Sequence, residues 1–318
     1  MNNFKKIGLT ALAGSLVASS VAYAGGLSAT GAASMKIANS SQSAAGKTVS
    51  MGNSVYLAGS GETDAGLTVS MSFELDAGVD TGTGSGPFDN HSVSVGSDTL
   101  GTLTVHGHGG SNAAAAIDAT AAGDLWNTTL GISTANDPST GPSGDGLVAY
   151  SLPTFADGLA VNTTYSSAGA NDGGSGAFSV VYTGIEGLTF KYGASEDNST
   201  VDVSADHTTM MVSYAYGPIT ASVSSAEYDH TTASSDQDVT SWGLSYTVSD
   251  AISVSYGQES LDRTGNTADI EVSGVSASYT SGGMTVSASS VDGTDVDGSS
   301  TGSNNNNNTW SLSASFAF

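Results

Sequence analysis

Seven stretches of the chain repeat one pattern, a short turn followed by alternating apolar and polar residues. In GLTFKYGAS, which starts at Gly187, Leu, Phe and Tyr alternate with Thr, Lys and Gly. Alternation with a period of two predicts an extended strand that has one apolar and one polar face. The seven stretches begin at Gly66, Gly101, Gly158, Gly187, Gly217, Asp250 and Gly282.

Each turn joins two strands, because a second alternating segment precedes it. The Gly- and Asp-rich connections suit the tight turns of hairpins. Seven hairpins supply fourteen strands, and alternating segments from Leu27 and from Thr309 bring the number to about sixteen. An even number puts both chain ends on the side of the short turns, where the first and last strands can pair and close the sheet.

Longer polar segments alternate with the short turns and are rich in Gly, Ser, Asp, Asn and Thr, which predicts loops. Strands of about 9–11 residues, with short turns at one end and long loops at the other, predict a closed antiparallel transmembrane β-barrel. A barrel of about sixteen strands encloses water, so the polar face points inward and the apolar face meets lipid. The predicted loops are 38–46, 78–90, 108–144, 167–176, 196–207, 229–238, 261–269 and 292–308, and the predicted turns are 59–66, 98–101, 153–158, 184–187, 217–218, 249–251 and 281–283.

The first 24 residues predict a secretory signal. Lys5 and Lys6 precede an apolar run from Ile7 to Val21, and Ala-Tyr-Ala follows as a small-x-small cleavage site. The run is too short and too rich in Gly, Ser and Ala to favour a membrane anchor. We therefore expect export to the bacterial outer membrane and a single barrel domain over residues 25–318.

The charge balance argues against a nucleic-acid partner. The chain has 30 acidic residues and 6 basic ones, whereas binding to phosphate backbones needs clustered Lys and Arg. The chain has no cysteine, which excludes disulfides and thiolate chemistry. No GxSxG elbow lies between a predicted strand and a predicted helix, and the abundance of Ser makes chance Ser/His/Asp combinations unavoidable, so we expect no enzyme and no catalytic residues.

Aromatic residues cluster near the short turns. A ring of aromatic side chains at one height is typical of the interfacial girdle of a membrane barrel, although Tyr is also a good strand residue. Tyr56 lies off the apolar parity of its strand. The predicted girdle on the periplasmic side consists of Tyr182, Tyr214, Tyr246, Tyr279, Phe316 and Phe318.

The chain resembles the general, non-specific porins of Gram-negative bacteria, in particular the alphaproteobacterial group. The matching segments are FKKIGLTALAGSLVASSVAYAGGLS at the leader, VYLAGSGETDAGLTVSMSFELD in the first hairpin, and WSLSASFAF, which ends in Phe318. The resemblance implies a homotrimer of sixteen-stranded barrels with short periplasmic turns and a third long loop folded into each lumen. It also implies that the assembly machinery of outer-membrane barrels recognises the last strand through its terminal Phe.

The third loop, 108–144, is the longest. Its alanine-rich segment Ala113–Ala122 predicts a short helix, and LWNTTLGIS is assigned to the loop because one more strand would give an odd number. Many general porins set a basic cluster on the wall against acids on this loop. Here only four basic residues remain once Lys5 and Lys6 are removed, which argues against a strong transverse field.

Parity and loop position give candidate pore-lining residues, and carboxylates among them predict weak cation selectivity. The alternative for any one acid is that it only keeps an outer loop solvated. We expect no cofactor; DGTDVDGSS, with Asp292, Asp295 and Asp297, is read as a loop, with calcium binding as the alternative. His106 and His108, in HGHGG, have no nearby acid in sequence to complete a zinc site. The candidates are Lys191, Glu74, Asp76, His106, Asp118 and Asp124.

The predicted function is a diffusion channel for small hydrophilic solutes and ions. The alternative is a secreted, acidic, β-rich surface-layer or adhesin protein, because a solenoid or sandwich can have the same Gly/Ser/Thr/Asp composition. The even number of hairpins, the alternation of long and short connections, and the terminal Phe favour the channel.

Overall fold

The computed structural model describes residues 26–42, 46–76, 89–117, 120–123, 125–126, 128–133, 144–167, 174–200, 203–232, 235–301 and 305–318. The predicted signal, residues 1–24, lies outside them. No helix among the described residues is long and apolar enough to cross a bilayer. The strands of this part of the chain are β1 Leu27–Ser40, β2 Thr48–Glu62, β3 Thr68–Asp76, β4 Asn90–Ser97, β5 Gly101–His108, β6 Leu147–Ser151, β7 Leu159–Ser166, β8 Ser175–Tyr182, β9 Leu188–Thr200, β10 Val203–Tyr216, β11 Ile219–His230, β12 Gln237–Ser249, β13 Ile252–Arg263, β14 Ile270–Ser281, β15 Met284–Thr294 and β16 Asn307–Ala317.

These sixteen strands of the described residues form one closed barrel in chain order, as predicted. Each strand pairs antiparallel with the next, and β1 pairs with β16 in a register that sets Ala32 opposite Ala317. The seam ends with two backbone bonds: the N–H of Gly31 donates to the carbonyl of Phe318 (2.7 Å), and the N–H of Phe318 donates to the carbonyl of Gly31 (3.0 Å). Closure leaves no strand edge exposed to another chain.

The repeated phrase in the sequence marks the hairpin turns. Glycines with positive φ occur at six of the seven turns, namely Gly66, Gly101, Gly158, Gly187, Gly217 and Gly282. At Gly187 the need is twofold, because φ is 78° and a Cβ would lie 2.5 Å from the carbonyl oxygen of Ala215. The turn at Asp250 has no glycine; there the hydroxyl of Ser249 accepts hydrogen bonds from the N–H groups of Ala251 (3.3 Å) and Ile252 (3.2 Å).

Several predicted loops are shorter than expected, because strands continue into their polar sequence. β9 and β10 occupy most of segment 196–207, and strands likewise reach into 261–269 and 292–308. The predicted length of 9–11 residues is therefore wrong for many strands, which range from 5 residues in β6 to 15 in β2. Backbone pairing with neighbours persists where side chains are polar, since water can solvate them; Asp206, for example, lies opposite Glu196.

The third loop, 109–146, enters the barrel, as predicted, but the predicted helix over Ala113–Ala122 is wrong. The described residues there contain only a 3-10 turn at Ala115–Ile117, and a second one follows at Thr128–Leu130. A backbone N–H that a helix would use points to the wall instead: that of Ala121 donates to Ser241 Oγ at 2.8 Å. A helix this short has too few internal bonds to compensate for its nucleation. LWNTTLGIS forms no strand in its described part, in agreement with the prediction.

Candidate functional site: the lumen and the third loop

Strand register identifies the lumen face of the wall, since residues directly opposite on paired strands point to the same side. From β9 to β13 the register connects Lys191, Met211, Ser224, Ser241 and Glu259. Four of them bind the backbone of the third loop: Lys191, Ser224, Ser241 and Glu259. The face that carries them is therefore the lumen face, and the same parity can be followed around the closed sheet.

Cross-strand pairs of hydroxyl groups line this face. The two side-chain oxygens are 2.6 Å apart in Ser255–Ser276 and 2.7 Å apart in Ser253–Ser278. Each hydroxyl has one donor and two acceptor positions, so a pair keeps capacity to bind water or a solute. The pairs make the wall polar without making it charged. Others are Ser72–Ser92, Ser94–Thr104, Thr280–Thr285, Ser287–Ser313 and Ser289–Ser311.

The opposite face is apolar and exposed. Val223, Leu244, Val275 and Leu312 have between 47% and 57% of their surface accessible. A continuous apolar surface of this kind is stable against lipid rather than water.

The six aromatic residues predicted as a girdle lie on this outer face near the short turns. Tyr214, Tyr246 and Tyr279 are 45–50% exposed, and Phe318 is 67% exposed. Tyr56 instead faces the lumen, where its side chain is hydrogen-bonded to Glu74, in keeping with its parity. The placement of the six, with Tyr182 and Phe316 among them, fits an interfacial belt, whose contact with lipid remains a prediction.

Polar contacts hold the first half of the third loop against the lumen wall. The Lys191 ammonium donates to the carbonyl of Ile117 at 2.5 Å. The N–H of Ala121 donates to Ser241 Oγ (2.8 Å) and Ser224 Oγ (3.1 Å). Lys191 was predicted as a pore-lining charge; its ammonium lies on the lumen face but is bound to the loop.

Three glycines form a track on which the loop backbone rests. Gly243, Gly257 and Gly274 lie directly opposite one another on β12, β13 and β14. A Cβ would lie 2.2 Å from the carbonyl oxygen of Ala121 at Gly243, 2.7 Å from Cα of Ala122 at Gly257, and 2.9 Å from the side chain of Leu125 at Gly274. At Gly243 and Gly257, where the close atoms are backbone, only glycine allows this approach, and an isolated glycine inside an alternating strand was the sequence signal for it.

Apolar packing anchors the second half of the loop. Leu130 is fully buried, and it belongs to a cluster that the loop forms with the lumen face of β13–β15. On these strands the alternation inverts near the loop end, where apolar side chains point inward and Asp262, Glu271 and Asp292 are exposed on the outside. The change of parity was visible in the sequence, but the loop residues that pack against the inward apolar side chains could not be identified from it. The cluster consists of Leu130, Ile132, Leu261, Ile270, Val272, Val291 and Val296.

Comparison with known proteins agrees with this geometry. Residues 8–279 match the family described as Gram-negative porin. This chain belongs to the Gram-negative porin family. No curated protein matches its sequence.

Solved structures similar to this porin are also porins or outer-membrane proteins. The anion-selective porin from Comamonas acidovorans has 16% identity and a TM-score of 0.70, covering 92% of this chain and 100% of that one. The trimer form of OmpT from Vibrio cholerae has 17% identity and a TM-score of 0.68, covering 93% and 100%. A mutant porin of Rh. blastica has 15% identity and a TM-score of 0.63, covering 92% and 100%. At these identities the likeness concerns the fold.

Two of the predicted pore acids of the porin come together with a third that the prediction missed. Glu74, Asp76 and Asp89 have carboxylate oxygens within 4.8 Å of one another. Glu74 and Asp76 lie on the lumen face at the loop end of β3. Asp89 reaches them because its N–H bonds the carbonyl of Glu74 at 3.0 Å. Asp118 and Asp124 lie outside the described residues.

The histidines and the calcium candidate of the porin occupy different places. His106 faces the lumen opposite Leu147. The ring of His108 lies 2.6 Å from Asp145, an acid too distant in sequence for the pattern to identify. Asp295 accepts a hydrogen bond from the Asn305 amide (3.0 Å), and Asp297 accepts one from the N–H of Ser299 (3.1 Å).

Proposed function

We propose that this porin is a passive diffusion channel of the outer membrane for small hydrophilic solutes and ions, without enzymatic activity. The observation that supports it best is the contrast between the two faces of the closed wall. Hydroxyl pairs line the inside, apolar side chains cover the outside, and the third loop is fixed within the lumen. Fixed polar groups in a wide barrel support diffusion without binding of a specific substrate.

We propose weak cation selectivity as a finer property of this channel. The acidic group Glu74, Asp76 and Asp89 at the lumen mouth supports it, together with an excess of acidic over basic residues along the whole chain. The field of these carboxylates attracts K⁺ and is screened as salt rises.

Reversal potentials of the purified, reconstituted protein under a KCl gradient test this selectivity. We expect a K⁺/Cl⁻ permeability ratio above one that approaches the mobility ratio at high salt. The double variant E74Q/D76N should lower the ratio, with Glu186→Gln, in an exposed turn, as the control. A ratio below one in the wild type would contradict cation selectivity.

The proposal has three further parts. The chain is exported by its N-terminal signal, its last strand is recognised by the barrel-assembly machinery, and the barrels assemble as a homotrimer. An exposed apolar outer wall supports contact with outer-membrane lipid. Calcium binding at the outer loops is part of the same proposal, and the expected resident cofactor is none. Heat-modifiable mobility on gels and sedimentation with the membrane fraction test the barrel; a protein soluble without detergent would favour the surface-layer or adhesin alternative.

A further inference from the structure

A cavity of about 640 Å³ lies in the lumen between the third loop and the wall of β12–β16 and β1. Leu125 and Trp126 of the loop form part of its lining. Ala122, Gly123 and Thr129 of the loop also line it. The rest is wall, including the hydroxyl pairs Ser253–Ser278, Ser255–Ser276 and Ser289–Ser311.

Lys36 is the charged residue among the described residues that line this cavity. On β1 it lies opposite Ser313 and Ser50, both on the lumen face. Ser40, on the same face, donates to the carbonyl of Thr129 in the loop. Four residues of strand cover about 13 Å, which places Lys36 on the turn side of that contact. Among the described residues, none forms a hydrogen bond or ion pair with Lys36, and none of those that line the cavity carries a carboxylate.

The lining combines three kinds of contact that suit one class of solute. An ammonium binds a single carboxylate, whereas a doubly charged phosphate would call for further donors. Serine hydroxyls donate to and accept from the hydroxyl groups of a solute. Leu125 and Trp126 offer an apolar surface to its carbon skeleton, as polar-lined pockets commonly do.

We propose that this cavity is a transient binding site for small hydroxylated monocarboxylates, such as sugar acids, with Lys36 as the residue that holds the carboxylate. The inference rests on the proposed channel function, because the solute reaches the cavity through the lumen. The site lies apart from the acidic group at Glu74, so bulk cation preference and local retention of a carboxylate are compatible in one pore.

The test measures block of the ion current by gluconate in planar bilayers at low KCl, where screening is weak. Gluconate should increase current noise or reduce the mean current of the wild type. Lys36→Met should raise the half-blocking concentration by about fivefold, the factor that one unit charge at about 4 Å contributes in water. Lys36→Arg, which keeps the charge, should retain the block, and glucose should discriminate little between the variants.

Lys47→Met is the matched control. Lys47 also carries one ammonium, but it lies 5.8 Å from the ring of Trp310. Trp310 has the outward-facing parity of β16, because its neighbour Ser311 pairs with Ser289 on the lumen face. The inference is overturned if gluconate blocks Lys36→Met as well as the wild type, or if a conducting wild type is not blocked. A reconstituted wild type that conducts no ions refutes the proposed function itself and this inference with it.

Discussion

Replacing Gly243 by alanine tests whether the third loop rests on the glycine track. The added Cβ would lie 2.2 Å from the carbonyl oxygen of Ala121, whereas a close carbon–oxygen contact is about 3.3 Å, so the loop has to move by about 1 Å into the lumen. That movement stretches the hydrogen bonds from Ala121 N–H to Ser241 Oγ (2.8 Å) and Ser224 Oγ (3.1 Å). Weakening a partly buried bond costs about 1–3 kcal/mol, which raises the local opening equilibrium about 5- to 150-fold.

Hydrogen–deuterium exchange of the loop backbone around Ala121, in detergent-purified protein, measures this change directly. We expect faster exchange there, unchanged exchange in β1 and β16, and a lower single-channel conductance, because the loop moves inward. Gly176→Ala is the control, since nothing lies within 4 Å of a Cβ at that position in β8. If Gly243→Ala exchanges and conducts like the wild type, the loop does not lie on the track.

Two further substitutions probe the other anchors of the loop. Leu130→Ala removes a fully buried side chain and should destabilise the loop anchor by about 2–5 kcal/mol. We expect this as faster hydrogen–deuterium exchange of residues 128–132. The control is Leu312→Ala, at a position 47% exposed on the outer face, which should leave that exchange unchanged. Lys191→Met removes the donor to Ile117 and should increase open-channel noise, whereas Lys191→Arg should restore a quieter current; equal noise in all three proteins would show that this contact does not restrain the loop.

The barrel itself could be predicted from local sequence pattern. Alternation fixes which side chains share a face, and glycine or serine chemistry fixes the turns, so the strand number, the closure and the inward direction of Glu74, Asp76 and Lys191 all followed from short segments. The ends of the strands could not be predicted in this way. Polar residues at 196–207 pair as strands because neighbouring strands offer backbone partners, which composition does not reveal.

The arrangement of the third loop was decided by tertiary structure. Alanine's helix propensity over 113–122 is a local preference of a fraction of a kcal/mol per residue. The wall instead binds both groups of one helical bond, because Ala121 N–H donates to Ser241 and the carbonyl of Ile117 accepts from Lys191. Each of Gly243, Gly257 and Gly274 can be found in the sequence, but the three form a track only when β12, β13 and β14 pair in register. Sequence alone determined a closed sheet with one polar face and one apolar face, because polar and apolar residues alternate every two positions along each strand. What fills the lumen depends on residues more than a hundred positions apart, and only the folded chain brings them together.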